Sequence, residues 1–249
     1  MNAWTAQFKK ELHLGGFRLM PAMELVVMLL GILGAWRWNS PDIALMIGVF
    51  LVFLHLFYLL VFLVTNVFAE RKTFHLWLHN PLAGWQLLLA KLAAGIVSML
   101  VSYALAGVYT WICFLVSQSV RKMPGNYPIY RMALIATFDI FEFAVVLTVI
   151  FIFFWILFLR IYSWIGNWSW PISGGILLGS FYLLAYLEKI SFIRSLTHWG
   201  KIILLNEHLA AHFSAWSVIY LGDQLSTIVI LLVFFLAASW LLDHRVDMV

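Results

Sequence analysis

The 249-residue sequence is poor in charge: 10% of its residues are Asp, Glu, Lys or Arg, and 64% are hydrophobic. Soluble domains are about 25% charged, so this composition excludes an ordinary soluble fold and predicts membrane-spanning helices instead. A single cysteine, Cys113, excludes an intrachain disulfide. The net charge of +4 is small, and it fits contact with anionic lipid better than nucleic-acid binding.

Two motifs are also missing. No GxxxxGK(S/T) phosphate loop occurs, because Gly200-Lys201 lacks the upstream glycine and the following hydroxyl residue. The opening residues MNAWTAQFKKELHLGGFR lack the apolar core and the small-residue cleavage site of a signal peptide. We therefore expect neither ATP hydrolysis by this chain nor a cleaved leader.

Six apolar runs approach or exceed the roughly 20 residues that a helix needs to cross the hydrocarbon. They are residues 21–37, 43–69, 86–118, 132–160, 172–188 and 223–242. No internal repeat or linker separates them. The sequence thus predicts an all-α polytopic membrane protein with six transmembrane helices in a single domain, residues 1–249.

Six spans place both termini on one side, and the distribution of cations should identify that side. With the termini inside, eight of the 15 Lys and Arg residues face inward and seven outward, which does not decide the matter. The flanks of the first span favour termini inside, with Lys9, Lys10 and Arg18 against Arg37. We therefore expect cytoplasmic termini.

Residues 1–20 predict a helix lying on the membrane surface. Trp4, Phe8 and Leu12 recur every four residues and share one helical face, whereas Lys9, Lys10 and Glu11 lie on other faces. Gly15-Gly16 allows a turn into the first span. The alternative is a polar N-terminal tail.

Residues 189–222 combine apolar and polar stretches that suit neither a free loop nor a clean span. We expect short helices that dip into the outer leaflet before the last span, since irregular backbone at that depth must be buried in protein or line a wet cavity.

The connector between the second and third spans, ERKTFHLWLHNPLAGWQ (residues 70–86), is rich in polar and aromatic residues. It predicts a short helix with an apolar edge that Asn80-Pro81 ends, because proline disfavours helical backbone in the preceding residue. Gly84 gives a second flexible point, and Trp85 opens the third span at interface depth. Such an element can transmit a push from a partner. The alternative is an ordinary short loop.

This pattern resembles the type-2 ABC exporter permeases of bacteria. The residues that carry the resemblance are Glu70, Arg71, Thr73, Leu76, Trp77, Pro81, Gly84, Trp85 and Lys91. The resemblance implies an N-terminal elbow helix (1–20), a cytoplasmic coupling helix (70–85) and re-entrant helices before span six. Glu70, Arg71, Thr73, Trp77, Asn80, Pro81, Gly84 and Trp85 would then couple the chain to an ATPase.

The same resemblance implies partners and a location. A separate nucleotide-binding subunit would hold ATP and Mg²⁺, and a second permease copy or a related permease would complete the transporter in the bacterial plasma membrane. Membrane lipids would surround it. The substrate would be hydrophobic or amphipathic, such as a lipid, peptide or antibiotic.

Charged residues within spans are costly and are candidates for function. Glu24, His55, Asp139 and Glu142 could line a translocation path. Asp139 and Glu142 share one helical face and could pair with Arg131, Lys91 or a partner subunit, could bind a cationic substrate, or could lie among the outer headgroups. For His55 and Asn66 in span two, hydrogen bonds between helices are the favoured interpretation.

Two weaker patterns complete the sequence evidence. His208 and His212 have the spacing of two metal ligands on one helical face, but no further ligand accompanies them and we expect no metal. Gly174, Gly175 and Gly179 form a stripe of small residues that predicts close helix packing, within the chain or between copies.

Two other classes of function remain open. A membrane-embedded enzyme would need acids, histidines or a nucleophile converging at one depth. A non-transporting partner or sensor subunit would need only the docking connector.

Overall fold

The computed structural model describes residues 3–70, 82–121, 129–187, 189–203 and 218–244. Nine helices and two strands lie within these ranges. In chain order they are α1 (Ala3–Leu14), α2 (Leu19–Arg37), α3 (Pro41–Glu70), α4 (Gly84–Val116), α5 (Gln118–Arg121), α6 (Ile129–Ile165), α7 (Ser169–Leu187), α8 (Ser191–Thr197), β1 (Lys201–Ile203), β2 (Val218–Tyr220) and α9 (Leu221–Asp243).

The protein is an all-α polytopic membrane protein. Each of the six predicted apolar runs overlaps a helix, namely α2, α3, α4, α6, α7 and α9. In the described residues, five stretches are long and apolar enough to cross a membrane, because α6 and α7 belong to one 59-residue stretch, Ile129–Leu187. Helices are expected there, since backbone groups in hydrocarbon must find their hydrogen-bond partners within the segment.

The chain divides into two compact units, Met1–Thr148 and Val149–Val249. The first unit is built on α3 and α4, and it has two buried apolar clusters. One contains Leu59, Met99, Ile140 and Ala144. The other contains Met28, Leu51 and Ala106 and joins α2, α3 and α4. These clusters hold the polar residues of the three helices in fixed register.

A tight turn at Gly15-Gly16 separates α1 from α2. Gly16 has a φ of 80°, which L side chains rarely adopt. Gly15 lies against the ring of Phe62, a fully buried residue of α3, and a Cβ at this position would overlap that ring. The turn therefore brings the end of α1 directly onto α3.

We expect Gly15→Ala to lower the free energy of unfolding by about 1–3 kcal/mol, because the added methyl overpacks against Phe62. Gly107→Ala is the matched control: among the described residues nothing lies within 4 Å of its would-be Cβ. That change within α4 should be neutral or stabilising. Thermal unfolding in detergent micelles measures both, and equal stabilities of the two variants would contradict the close contact.

The second unit contains the end of α6, then α7, α8, the strand pair and α9. A 3₁₀ turn, Gly166–Trp168, lies between α6 and α7, and Gly166 has a φ of 58°. Phe153 of α6 packs edge-on against Phe234 of α9, with ring centroids 4.9 Å apart.

The described part of residues 189–222 contains one short helix and a pair of strands. The helix is α8, and β1 and β2 pair antiparallel with Lys201 opposite Tyr220. The backbone amides of Leu221 and Gly222 donate to Gly200 and Trp199. Strand pairing satisfies backbone groups that a helix of three residues could not. Residues 204–217 lie outside the described residues.

Candidate functional site

A buried lysine connects three helices at one end of the first unit. The side chain of Lys91, on α4, is 2% exposed, and its ammonium has three acceptors. Nζ lies 2.6 Å from Glu11 Oε2, 2.5 Å from Glu70 Oε2 and 2.5 Å from Asn66 Oδ1. An ammonium has three N–H donors, so all of them are used.

Two further contacts complete this group, which we call the Lys91 cluster (Gln7, Lys10, Glu11, Asn66, Glu70 and Lys91). Lys10 Nζ donates to Glu70 Oε1 at 2.7 Å, and its side chain is about half exposed. Gln7 Nε2 donates to Glu11 Oε1. Two carboxylates thus face two ammonium groups, which balances the charge of a group that is otherwise buried. Buried ions are tolerated under this condition.

Helical spacing aligns the cluster. Gln7 and Glu11 are four apart on α1, and Asn66 and Glu70 are four apart on α3, so each pair shares one helical face. Asn66 Nδ2 also donates to the carbonyl oxygen of Glu11 at 3.0 Å. That carbonyl also accepts from the backbone amide of Gly15 at 3.0 Å, so Asn66 adds a second bond at the end of α1. The side chain of Asn66 therefore bonds both the lysine and the end of α1.

The predicted coupling residues fall into two groups. Arg71, Thr73, Trp77, Asn80 and Pro81 lie outside the described residues. Glu70 is the last residue of α3, Gly84 is the first of α4 and is buried, and Trp85 is 46% exposed. The structure joins Glu70, before the connector, to Lys91, after it, by a direct ion pair.

Two polar residues are the buried ones of α1. Trp4 and Phe8 stack on each other with centroids 5.7 Å apart, and both are half-buried. Gln7 and Glu11 are buried, and Glu11 is 0% exposed. The sequence put Glu11 on a face other than that of Trp4 and Phe8 but did not predict its burial, because its buried partner, Lys91, is 80 residues away in the chain.

A second polar cluster lies farther along the same helices. The His55 cluster consists of Glu24 on α2, His55 on α3 and Ser102 on α4, all buried. His55 Nδ1 bonds the carbonyl oxygen of Leu51 at 2.8 Å, and Nε2 lies 3.1 Å from Ser102 Oγ. Ser102 Oγ also bonds Glu24 Oε2. His55 and Glu24 were each predicted from sequence, whereas Ser102 was missed because serine is common in spans.

The order of contacts in the His55 cluster differs from that of a hydrolase triad. In a triad, the acid bonds Nδ1 of the histidine and the serine bonds Nε2. Here the backbone carbonyl of Leu51 is the partner of His55 Nδ1, and Glu24 bonds Ser102 instead of the histidine. Ser102 is also buried, so the cluster holds helices together and offers no exposed nucleophile.

The four predicted path residues do not form one group. Glu24 and His55 share the His55 cluster, whereas Asp139 and Glu142 are half-buried on α6. Lys91 pairs with Glu11 on α1 and with Glu70 on α3. The suggested pairing of Lys91 with the α6 acids stays a prediction.

The glycine stripe of α7 shows no close packing within the described part of the chain. Nothing there comes within 4 Å of a Cβ built at Gly174, Gly175 or Gly179. Packing within the chain, which the sequence favoured slightly, is therefore not observed at these glycines. His208 and His212 lie outside the described residues.

A third polar contact is found at the other end of α3. Asp42 accepts from Ser117 Oγ at 2.5 Å and from Ser119 Oγ at 2.6 Å, which ties the start of α3 to the end of α4. The three contact groups together fix α3 against α4 along its length. No family model, curated protein or solved structure matches the chain.

Proposed function

We propose that this chain is the transmembrane permease subunit of an ATP-driven ABC exporter. It would move a hydrophobic or amphipathic substrate, such as a lipid, peptide or antibiotic. A separate ABC ATPase would bind ATP and Mg²⁺, and a second permease copy or a related permease would complete the path. The transporter would lie in the bacterial plasma membrane, with both termini of this chain in the cytoplasm.

The observation that supports this proposal best is the Lys91 cluster. Its ion pairs connect Glu70, directly before the connector, to Lys91 on the helix that follows it. They also attach α1 through Glu11. A force applied to the connector therefore acts on three helices at once. Rigid-body motion of packed helices is a common way to transmit such a force.

The proposed topology has six spans. Gly166, with its positive φ, interrupts the long helical stretch and allows α6 and α7 to cross separately. The connector and α1 then share the cytoplasmic side with Lys9 and Arg18, in accordance with the positive-inside rule. In this arrangement α1 is the elbow helix, and residues 70–85 are the coupling element.

The competing classes lack comparable support. An enzyme needs an accessible reacting group, and the buried His55 cluster has its acid on the serine. A non-transporting sensor subunit would keep the docking connector but would need no energy-coupled movement of α3 and α4. A measurement of ATP-dependent transport distinguishes the exporter from the sensor subunit.

The first test is to identify an ABC ATPase that binds this chain and to reconstitute the two proteins together. We expect the two proteins to copurify and the complex to hydrolyse ATP in liposomes. Trp77→Ala combined with Pro81→Ala should leave membrane insertion intact and remove substrate-stimulated hydrolysis, because both changes fall on residues that the sequence predicts to form the apolar edge and the turn of the connector.

Trp36→Ala provides the matched control. Trp36 is 81% exposed near the end of α2 remote from the turn into α1, so its loss should leave hydrolysis unchanged. Normal substrate stimulation in the Trp77 and Pro81 double variant would overturn the coupling role. Isolation of a functional chain that binds no ATPase would overturn the exporter proposal altogether.

A further inference from the structure

We propose that Glu24, Ser102 and His55 form a proton-binding site in the membrane-embedded part of the first unit, where one shared proton moves along a short relay. The ligand is the proton itself. The proposal is independent of the exporter function, since it depends only on the geometry of the His55 cluster.

The donors and acceptors of the cluster can be counted. The carbonyl of Leu51 only accepts, so His55 Nδ1 carries a hydrogen. Ser102 has one hydroxyl hydrogen, and two of its contacts require one, those to His55 Nε2 and to Glu24 Oε2; its third neighbour, Tyr58, has a hydroxyl hydrogen of its own. With a neutral histidine and an ionised glutamate, that hydrogen satisfies only one contact. Both contacts are satisfied when the pair carries one additional proton.

The additional proton has two positions of equal net charge. In the first, Glu24 is a carboxylic acid that donates to Ser102, and Ser102 donates to neutral Nε2 of His55. In the second, Nε2–H of an imidazolium donates to Ser102, and Ser102 donates to the carboxylate. Passage between them breaks the Glu24 O–H and Ser102 O–H bonds and forms new Ser102 O–H and His55 N–H bonds. No atom or electron is gained or lost.

A second proton is disfavoured, because Glu24 and His55 would then both donate to Ser102 and displace its hydroxyl hydrogen from the two contacts. Glu24 Oε1 is buried and has no hydrogen-bond partner among the described residues, so a hydrogen on it would lack an acceptor. Oε1 lies 3.9 Å from His55 Nε2, close enough for charge attraction in the second state. Double protonation would also leave an uncompensated positive charge among buried groups.

Neighbouring groups isolate the site. Tyr58 of α3 stacks on the His55 ring and Tyr103 of α4 packs edge-on, both with centroids 5.2 Å away. These are the titratable side chains that contact the imidazole in the described structure. Lys91 is eleven residues from Ser102 on α4, about 16 Å along the helix axis. The proton of the His55 cluster is thus held apart from the charges of the Lys91 cluster.

The test uses the full chain in lipid nanodiscs. Infrared spectroscopy reads the protonated carboxyl of Glu24, identified by its loss in Glu24→Gln, and ¹⁵N NMR reads protonation of His55 Nε2. Between about pH 5 and pH 8, where an ordinary histidine titrates, we expect the two signals to sum to one proton per chain. A change of temperature should move them in opposite directions.

Ser102→Ala should abolish this reciprocal change, because the hydroxyl that carries the proton is gone. Ser98→Ala is the matched control: it removes a buried hydroxyl one turn away, which bonds Tyr58 instead. A sum of zero or two protons in the wild type would overturn the proposal. Unaltered signals in Ser102→Ala, or a His55 signal that ignores Glu24→Gln, would do the same.

Discussion

Lys91→Met is expected to be the most destabilising single change in the chain. It removes the buried ammonium that contacts both Glu11 and Glu70. Removal of one partner from a buried ion pair costs about 3–5 kcal/mol, because the remaining charge stays desolvated. Thermal or denaturant unfolding of the purified protein in micelles measures the loss.

Two companion variants distinguish the effect of an unpaired buried charge on stability from the effect of losing any lysine. Lys189→Met removes an exposed lysine and should change stability by no more than about 0.5 kcal/mol. Addition of Glu11→Gln and Glu70→Gln to Lys91→Met should restore most of the stability, because no unpaired buried charge remains. If Lys91→Met proved as mild as Lys189→Met, the buried network would be refuted.

Glu70→Gln is expected to have the largest effect on coupling, given the proposed exporter function. The amide retains the shape of the side chain but weakens its bonds to Lys91 and Lys10, the contacts that anchor the start of the connector. The partner ATPase should still bind and hydrolyse ATP. Substrate movement per ATP should fall about tenfold, within the usual 1–3 kcal/mol of a coupling free energy.

The measurement compares transport with ATP hydrolysis in the same proteoliposomes. Asp223→Asn is the control, since Asp223 is a partly exposed acid at the start of α9 in the second unit. It should leave the ratio unchanged. A Glu70→Gln protein with the wild-type ratio would show that the ion pair is structural only, and it would leave the stability prediction for Lys91 intact.

The helices were predictable because their cause is local. Long apolar runs need no knowledge of distant residues, and the Gly15-Gly16 turn marks a boundary that the structure retains. The strand pair was not predicted, because β1 and β2 are three residues each and come from segments separated by residues 204–217. Pairing at that distance leaves no periodic signal in either segment.

The candidate sites were predicted residue by residue but not as groups. Glu24 and His55 were noticed because ionisable residues are rare in apolar runs, and Glu70 and Lys91 because they belong to the pattern that resembles the ABC permeases. Glu11 and Ser102 were missed, because a glutamate on an amphipathic helix and a serine in a span are both ordinary. One local signal was present: Asn66 and Glu70 are four apart on one face of α3. Their common partner on α4 is visible only in three dimensions.

The Lys91 cluster also determines the order in which the chain can assemble. Glu11 is synthesised early, but its partner lysine emerges eighty residues later. Until α4 has entered the membrane, α1 lacks its main ionic attachment and Glu11 must remain hydrated. In a ribosome-bound chain that ends before Lys91, α1 should therefore be cleaved by added protease. A chain long enough to include α4 should resist cleavage there. The insertion of α4 is then the step that fixes α1 against the rest of the first unit.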